Sequence, residues 1–366
     1  MHSTPDITFV GGGITGLLCA RLFALAGASV TIIDKNQIGQ ESSWAGGGIL
    51  LPLYPWRQAD AISQLVIPSI KAYPKLVQDL IDATGINPEY LVSGLLMNSL
   101  PDSDDAHAWS NKHAIKTSIA SSEQRQQFPH IQDSSLYLPG IAQVRNPRLL
   151  KSLKQDLLQR GVKIIENCTI EKVTLKDNHI TEITSHTETL PVKQLVVSAG
   201  AWTGSLWPQL LGKTEPTSVK VFPVKGQMLI LDAPIGTLDT MVLENDRYLI
   251  PRRDGKILCG STVEHAGFDK TTSAQARQSL VNFAHNLLPE LRSAPVIHHW
   301  AGLRPGTEQG IPYIDQHPEI QNLAISAGHF RNGFAMGPAS AQLLYDLVTE
   351  QTPKIDPTPY QLSAQH

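Results

Sequence analysis

Residues 7–34, ITFVGGGITGLLCARLFALAGASVTIID, decide the fold at the start of this chain. They predict a strand, a glycine turn, a helix and a second strand that ends at Asp34. Gly11, Gly13 and Gly16 form the pattern G-x-G-x-x-G, and Asp34 follows at the distance expected of an acid that binds a ribose. These glycines permit a tight turn, close approach of the backbone to a pyrophosphate, and close packing of helix on sheet. We therefore predict a Rossmann-like dinucleotide-binding domain.

Composition limits the class of protein. The chain has 366 residues, of which 41% are hydrophobic and 17% charged, as in a soluble globular protein with more than one domain. The formal net charge of −3 gives no reason to expect nucleic acid as a partner. Cys19, Cys168 and Cys259 lie far apart, which indicates free, mostly buried thiols in a reducing compartment. No metal is expected, because His298 and His299 are neighbours on a predicted strand and point to opposite faces.

The chain carries no signal-like segment before its first predicted strand. The apolar run 14–28 is the helix of the dinucleotide motif, and it is too short to span a bilayer. We therefore expect a cytoplasmic protein without an integral membrane segment.

Helical periodicity recurs in three further segments. Residues 57–85 predict a helix broken at Pro68 and Pro74, and residues 146–161 predict a helix with Asn146 as its N-cap. A last amphipathic helix is predicted to open at Gly337–Pro338.

Strand patterns fill much of the remaining sequence. Residues 219–300 are rich in strands, with a hairpin signal at Asp254–Gly255. The return to glycine-rich strand and helix near the end implies that the second domain is inserted in two pieces. We assign 1–85, 143–218 and 298–366 to the dinucleotide domain, and 86–142 and 219–297 to an inserted substrate-binding domain with an antiparallel sheet. The fold class is α/β, with an α+β substrate part.

Three glycine-rich segments beyond the first motif carry candidate chemistry. Residues 42–50, SSWAGGGIL, place three glycines after two hydroxyls, which suits close approach of the backbone to a flat or phosphorylated ligand. In residues 301–307, AGLRPGT, we interpret Arg304 as held in a loop between glycine and proline, where its planar fork could clamp a carboxylate. Residues 328–335, GHFRNGFA, lead into the last helix, whose N-terminus can stabilise negative charge.

Together these segments resemble a known family. The motifs GGGITG, SSWAGGGIL, SAGAW, YLIPRRDG, WAGLRPGT and GHFRNG follow one another, from about residue 6 to residue 350, as in the glycine oxidase and D-amino-acid oxidase family of FAD flavoproteins. The chain is most similar to the glycine oxidase branch associated with thiamine biosynthesis. The sarcosine oxidase relatives attach FAD through a cysteine, and none lies here between Arg304 and His329, so the resemblance implies non-covalent FAD.

The resemblance also implies roles for individual residues. Matched positions imply that FAD is bound by Gly11, Gly13, Ile14, Thr15, Gly16, Asp34, Lys35, Ser42, Ser43, Gly47, Gly48, Ile49, Ile170, His329, Phe330, Arg331, Asn332, Gly333, Phe334 and Ala335. Substrate would be bound by Arg304, which matches the arginine that holds the substrate carboxylate, by Tyr248, and by Arg331. Structural roles stay open for Tyr248, as a residue packed across the hairpin, and for Arg331, as an ion-pair partner.

The implied reaction is oxidative deamination of glycine or a small D-amino acid. Hydride would pass from Cα to the flavin without a general base, and water would hydrolyse the imino acid to a keto acid and ammonia. Oxygen would be the electron acceptor and hydrogen peroxide the product. Leu51, Tyr54, Asp246 and Val263 are expected near the pocket, where they would set its size. Members of the family often associate, so a homo-oligomer is compatible with the resemblance.

Four alternatives remain open from the sequence. A dehydrogenase of the same fold would pass electrons to a quinone or carrier instead of oxygen. A secondary-amine oxidase would act on sarcosine or proline. A nicotinamide-dependent dehydrogenase leaves the SSWAGGG segment and the C-terminal return without explanation, and a non-catalytic nucleotide-binding module leaves Arg304 and Tyr248 without a role.

Overall fold

The computed structural model describes residues 4–98, 100–128, 131–132, 135–186, 188–212 and 219–366. The helices are α1 (Ile14–Leu25), α2 (Glu41–Ala45), α3 (Asp60–Thr84), α4 (Ser103–Lys112), α5 (Ser122–Gln127), α6 (Asn146–Gln159), α7 (Thr203–Leu211), α8 (Ala274–Leu287) and α9 (Gly333–Val348). Short 3₁₀ turns cover Pro55–Arg57, Gly200–Trp202, Pro289–Ser293 and Thr358–Tyr360.

The strands alternate with these helices along the chain. They are β1 (Ile7–Val10), β2 (Val30–Ile33), β3 (Leu91–Val92), β4 (Leu95–Asn98), β5 (Leu136–Leu138), β6 (Ala142–Gln143), β7 (Lys163–Ile165), β8 (Ile170–Lys176), β9 (His179–Ser185), β10 (Thr189–Pro191), β11 (Leu195–Val197), β12 (Phe222–Asp232), β13 (Met241–Glu244), β14 (Arg247–Pro251), β15 (Lys256–Gly260), β16 (Val296–Gly306), β17 (Tyr313–Gln316) and β18 (Leu323–Ala327).

Two large sheets organise the molecule. The first has the order β17-β18-β11-β1-β2-β7, and all its pairs are parallel except β17 with β18. The second has the order β16-β12-β15-β14-β13-β4-β5, and all its pairs are antiparallel except β13 with β4. The predicted fold class is confirmed: a Rossmann-like parallel sheet accompanies a separate, mainly antiparallel sheet.

The N-terminal βαβ unit forms as its sequence predicts. β1 and β2 are buried and pair in parallel, and α1 crosses between them. Gly11 has φ +113°, and a Cβ there would lie 2.2 Å from the carbonyl oxygen of Ser198. Only glycine fits this turn, because both the backbone angle and the space exclude a side chain.

The helix predicted to break at two prolines is continuous, so that prediction was wrong. α3 runs from Asp60 to Thr84 and includes both Pro68 and Pro74. Tyr73 and Leu80, among the apolar residues on one side of the helix, are completely buried. Burial of an apolar face stabilises a helix more than propensity does, and it offsets the backbone hydrogen bonds that the prolines remove.

The last helix begins earlier than predicted, at Gly333, and Pro338 lies inside it. A proline in a helix leaves the carbonyl four residues earlier without its donor, here that of Phe334. The Tyr73 hydroxyl donates to this carbonyl at 2.7 Å and replaces the missing N–H. The proline is therefore tolerated because α3 supplies the lost hydrogen bond, which a sequence pattern does not reveal.

The register of the second sheet brings the predicted substrate residues onto strands. Arg304 lies on β16 and pairs with Val224 of β12, so the predicted loop at 301–307 is largely a strand. Tyr248 lies on β14 opposite Gly260 of β15. Because a strand fixes side-chain direction, both side chains are held on a rigid surface. The hairpin predicted at Asp254–Gly255 is confirmed.

The predicted domain intervals stay predictions, and they include positions outside the described residues, among them 213–218. β16 starts at Val296 and belongs to the second sheet, although 298–366 was assigned to the dinucleotide domain. Cys19, Cys168 and Cys259 are free and buried, as predicted. Among the described residues, no helix is both long and apolar enough to cross a membrane. Nor does any group of three or more metal-binding side chains occur there.

Candidate active site

One cavity joins the glycine turn after β1 to Arg304 on β16 of the second sheet and to Arg331, which precedes α9. Its volume is about 410 Å³. Most residues predicted to bind FAD line it, namely Gly11, Gly13, Ile14, Thr15, Asp34, Lys35, Ser42, Ser43, Gly47, Gly48, Ile49, Ile170, His329, Phe330, Arg331, Asn332, Gly333 and Phe334. The predicted substrate residues Arg304, Tyr248 and Arg331 line the same cavity. Segments separated by hundreds of residues in the chain therefore meet at one site.

Two residues of the predicted cofactor set do not line the cavity. Ala335 lies in the first turn of α9 and is buried. A Cβ on Gly16 would lie 2.1 Å from the carbonyl oxygen of Gly11, so Gly16 lets α1 pack against the glycine turn. Such a contact is the packing role that the third glycine of the motif has.

The glycine turn offers backbone donors to an anion. Within the described residues, the N–H groups of Gly13 and Thr15 have no hydrogen-bond acceptor, and α1 has no acidic residue in its first turn. Ile14 donates its N–H to the Ser43 hydroxyl at 2.9 Å, which ties the turn to the SSWAGGG segment. Free N–H groups at a helix N-terminus are the usual site for a phosphate, so this end of the cavity fits a pyrophosphate.

Asp34 occupies the end of β2, as predicted for the acid of the motif. Its carboxylate accepts hydrogen bonds from the N–H groups of Gly12 at 2.7 Å and Asn36 at 2.8 Å. Burial raises the pKa of Asp34, and these two hydrogen bonds oppose that effect. Beside it, Lys35 places Nζ 3.4 Å from the centre of the Trp202 ring, which gives a cation–π contact at the cavity wall.

Arg304 is partly buried, and its guanidinium is fixed by acceptors of the protein. Nη1 donates to the carbonyl oxygens of Thr262 at 3.1 Å and Lys225 at 3.3 Å, and Nη2 donates to Ser261 Oγ at 2.8 Å. A guanidinium has five N–H donors, so these bonds leave donors for a ligand. Burial lowers the pKa of Arg304 to about 10, and the group stays charged at neutral pH. A neighbouring cation, Arg331, lowers the pKa in the same direction.

Arg331 and Tyr248 complete the polar wall. Arg331 lies 3.7 Å from the carboxylate of Asp246, which is largely exposed, and its buried Nε has no partner in the described part of the chain. The Tyr248 ring is buried, and its hydroxyl contacts Met228 Sδ at 3.7 Å. Two cations face one cavity without a buried carboxylate to pair them, which favours an anionic ligand.

Of the residues expected to set the pocket size, Leu51 lines the cavity. Tyr54, Asp246 and Val263 are not among the lining residues; Asp246 instead contacts Arg331 from outside. Leu53 and Met228 line the cavity and were not predicted. They belong to a loop and to β12, and neither carries a sequence signal that distinguishes it from core residues.

Asn146 was predicted to cap α6, and that prediction was wrong. Its side chain does not cap the helix; Nδ2 donates to the carbonyl oxygen of Ser43 at 2.9 Å, and the residue is completely buried against the cavity. Its Oδ1 has no partner in the described residues. Arg252 and Trp300 also contact the SSWAGGG segment, at the carbonyl oxygens of Gly47 and Ala45. No spacing in the sequence indicates these contacts, because they join distant segments.

The fold and the cavity define a class: a dinucleotide-dependent oxidoreductase in which Arg304 of the second sheet and Arg331, before α9, face the same cavity as the glycine turn. Residues 6–347 match the family described as DAO, FAD dependent oxidoreductase, and the chain belongs to that family. The resemblance inferred from the motifs is thereby confirmed, and with it the use of FAD.

Individual relatives cover nearly the whole chain. It is 43% identical over 363 residues to the glycine oxidase of Pseudomonas putida, covering 98% of each protein. The crystal structure of glycine oxidase from Geobacillus kaustophilus superposes with a TM-score of 0.91 at 26% identity, covering 100% of both chains. A bifunctional protein ThiO/ThiG of Synechocystis is 28% identical over 100% of this chain, which spans 54% of that longer protein.

Proposed function

We propose that this enzyme oxidatively deaminates glycine or small D-amino acids. The observation that carries the proposal is the partly buried Arg304, which is fixed on β16 and faces the same cavity as the glycine turn. The high similarity to glycine oxidases supports it. A further relative, the ThiO/ThiG protein, supports a role in thiamine biosynthesis.

Residues of the glycine turn, the end of β2 and the segment 42–48 would hold the cofactor. The N–H groups of Gly13 and Thr15 would bind the pyrophosphate, Asp34 would bind the adenosine ribose, and Gly47 and Gly48 would contact the flavin side. Bound FAD supplies the two-electron acceptor for oxidation of the amino acid. The N-terminus of α9 lines the cavity at Gly333, and its dipole would stabilise negative charge that develops there.

The cationic wall would orient the substrate. Arg304 would hold the carboxylate of the amino acid through donors that Thr262, Lys225 and Ser261 leave free. Tyr248 and Arg331, on the same cavity, would bind the same group or limit its movement. Fixing the carboxylate fixes the Cα–H bond relative to the cofactor site, so positioning would supply much of the rate acceleration.

The flavin would be bound non-covalently. Cys19 and Cys259 are not among the residues that line the cavity, although Cys168 is. Cys168 donates its N–H to the carbonyl oxygen of Asp34 at 2.8 Å. It therefore lies beside the acid proposed for the ribose, away from the substrate residues on β14 and β16. Brief acid precipitation should release free, yellow FAD into the supernatant.

A substrate panel tests the proposed reaction. The purified yellow protein should release hydrogen peroxide under air with glycine, sarcosine or D-amino acids. Glycine and D-amino acids should give the corresponding keto acid and ammonia, whereas sarcosine oxidised at its Cα should give glyoxylate and methylamine. A protein that is reduced by these substrates but forms peroxide only slowly, while reducing a soluble quinone, would be the dehydrogenase of the same fold. A flavin that stays oxidised with every amine of the panel under anaerobic conditions would refute amino-acid oxidation.

A further inference from the structure

The flavin-side segment 42–48 is held from behind by three donors of distant elements. The carbonyl oxygens of Ser43, Ala45 and Gly47 accept hydrogen bonds from Asn146 Nδ2 at 2.9 Å, Trp300 Nε1 at 3.1 Å and Arg252 Nη2 at 2.7 Å. Ser43, Ala45 and Gly47 are alternate residues, so every second peptide group of the segment is held in a fixed orientation. Arg252 belongs to the YLIPRRDG motif, for which the proposed function gives no role.

Arg252 is a buried cation without a buried acid to pair with it. The residue is 7% exposed, and within the described part of the chain its guanidinium donates only to neutral oxygens: those of Gly47, Val144 at 3.0 Å and the Gln143 side chain at 2.6 Å. The nearby carboxylates of Glu89 and Asp254 instead pair with Arg145. Burial of such a charge is costly, and a hydrophobic side chain would fill the same space at lower cost.

The hydrogen bond from Arg252 to the Gly47 carbonyl indicates a role for the buried charge. A trans peptide is planar, so its C=O and the following N–H point in opposite directions. Arg252 binds the Gly47 carbonyl, and the N–H of Gly48 must therefore point away from Arg252. Gly47 and Gly48 both line the cavity, whereas Arg252 does not. Within the described residues, the Gly48 N–H has no hydrogen-bond acceptor.

Neither glycine can be replaced freely at this position. Gly48 has φ +77°, and a Cβ there would lie 2.1 Å from the carbonyl oxygen of Val144. A Cβ on Gly47 would meet Ile250 Cδ1 at 2.7 Å. The segment is thus pressed between the second sheet and the start of α6, and its backbone is the part that reaches the cavity.

We propose that Arg252 is a positioning residue: by holding the Gly47 carbonyl from behind, it aims the Gly48 N–H into the cavity as a donor to the cofactor. The inference rests on the proposed placement of the flavin side of FAD at Gly47 and Gly48. A fixed donor of this kind strengthens binding and favours the more electron-rich, reduced form of the cofactor.

The test compares Arg252→Met with Arg253→Met, since Arg253 is exposed and adjacent. FAD affinity is measured by titrating apoprotein and following flavin fluorescence, and the reduction potential is measured by dye equilibration. Arg252→Met should raise the Kd for FAD about tenfold or more, as expected for loss of a charged hydrogen bond. It should also shift the visible spectrum of the bound flavin and lower its potential. Arg253→Met should leave all three unchanged.

Arg252→Lys covers the case in which Arg252→Met does not fold. It retains the cation but cannot reach all three oxygens at once, so we expect an intermediate Kd and an intermediate potential. An Arg252 variant with a lower melting temperature but unchanged Kd, spectrum and potential would show a merely structural role and overturn the inference. With that result, Gly47→Ala decides whether the proposed placement of FAD is also wrong. Weaker FAD binding by Gly47→Ala would support the placement of the flavin side at Gly47, and unchanged binding would contradict it.

Discussion

The guanidinium of Arg304 lies directly against Gly226, with no room for a side chain between them. A Cβ on Gly226 would lie 2.1 Å from Arg304 Nη2. Gly226 lies on β12 and Arg304 lies on the adjacent strand β16. The register pairs Gly226 with Gly302 and Arg304 with Val224, so Gly226 and Arg304 are diagonal neighbours. Gly226 therefore provides the space that lets Arg304, the proposed substrate arginine, fold back onto Ser261 and Thr262.

Gly226→Ala should displace Arg304 while leaving the cofactor site intact. The added methyl and Nη2 cannot occupy the same space, so the guanidinium must leave its three acceptors. We expect KM for the amino acid to rise about tenfold or more, with little change in the Kd for FAD. Gly140→Ala is the matched control, because a Cβ there meets no atom within 4 Å. Equal KM values for the two variants would contradict the assignment of Gly226.

Arg304→Ala should remove the residue proposed to bind the substrate carboxylate. Loss of a buried charged hydrogen bond to a ligand costs several kcal/mol, so we expect kcat/KM to fall by about 10³-fold. The variant should stay yellow, since Arg304 belongs to the second sheet and not to the glycine turn. The measurement is steady-state kinetics with the best substrate, beside the FAD content of the purified protein. Unchanged kinetics would remove Arg304 from the substrate site.

Local sequence signals predicted the parts of the structure whose causes are local. The glycine turn, the crossover helix and Asp34 follow from residues close together in the chain, and all form as predicted. Arg304 and Tyr248, which the motif resemblance singled out, line the same cavity as the glycine turn, although Arg304 was expected on a loop. Its strand could not be predicted because glycine and proline flank it, and its pairing with β12 is a long-range contact.

The predictions from sequence were wrong where a residue distant in the chain supplies a hydrogen-bond partner. Pro338 lies inside α9 because the Tyr73 hydroxyl replaces the lost N–H donor. Asn146 does not cap α6, and its side chain instead donates to the carbonyl oxygen of Ser43. Arg252 shows the same limit, since its acceptors come from three separate segments. The spacing of residues along the chain does not indicate such pairings. They require the folded arrangement of the two sheets.

The stability of the protein should depend on pH through His329. This residue is 2% exposed, and burial lowers the pKa of its imidazole from an ordinary value of 6.5 to about 4. The unfolded chain therefore binds a proton between these two values, whereas the folded chain does not. Stability is fully present above pH 6.5 and is lost as the pH falls toward 4, by at most about 1.4 kcal/mol per pH unit from this group.

His329→Gln checks this dependence. Glutamine does not titrate, so the free energy of unfolding should vary less steeply between pH 6.5 and pH 4. Urea unfolding of the apoprotein at several pH values gives the slope directly. His265→Gln serves as the control, since His265 lies on an exposed loop. Parallel pH profiles for the wild type and His329→Gln would show that His329 does not titrate in this range.

Asp34 should act on FAD through the adenosine half of the cofactor. Its carboxylate holds the N–H groups of Gly12 and Asn36, and it lies beside Cys168 at the end proposed for the ribose. Asp34→Ala removes both acceptors, and the Kd for FAD should rise about tenfold or more. Asp34→Asn keeps one acceptor oxygen and should give an intermediate value. Asp239→Ala, which alters an exposed acid, should leave the Kd unchanged.

FMN separates the two ways in which Asp34 could contribute, because it lacks the adenylate portion. If Asp34 binds the ribose, Asp34→Ala weakens FAD binding and leaves FMN binding at the wild-type level. If Asp34 only shapes the glycine turn, the phosphate site is lost and both affinities fall together. We expect the first result, since Gly13 and Thr15 present their free N–H groups to the phosphate without the help of Asp34. Equal losses for the two flavins would assign Asp34 to the turn alone.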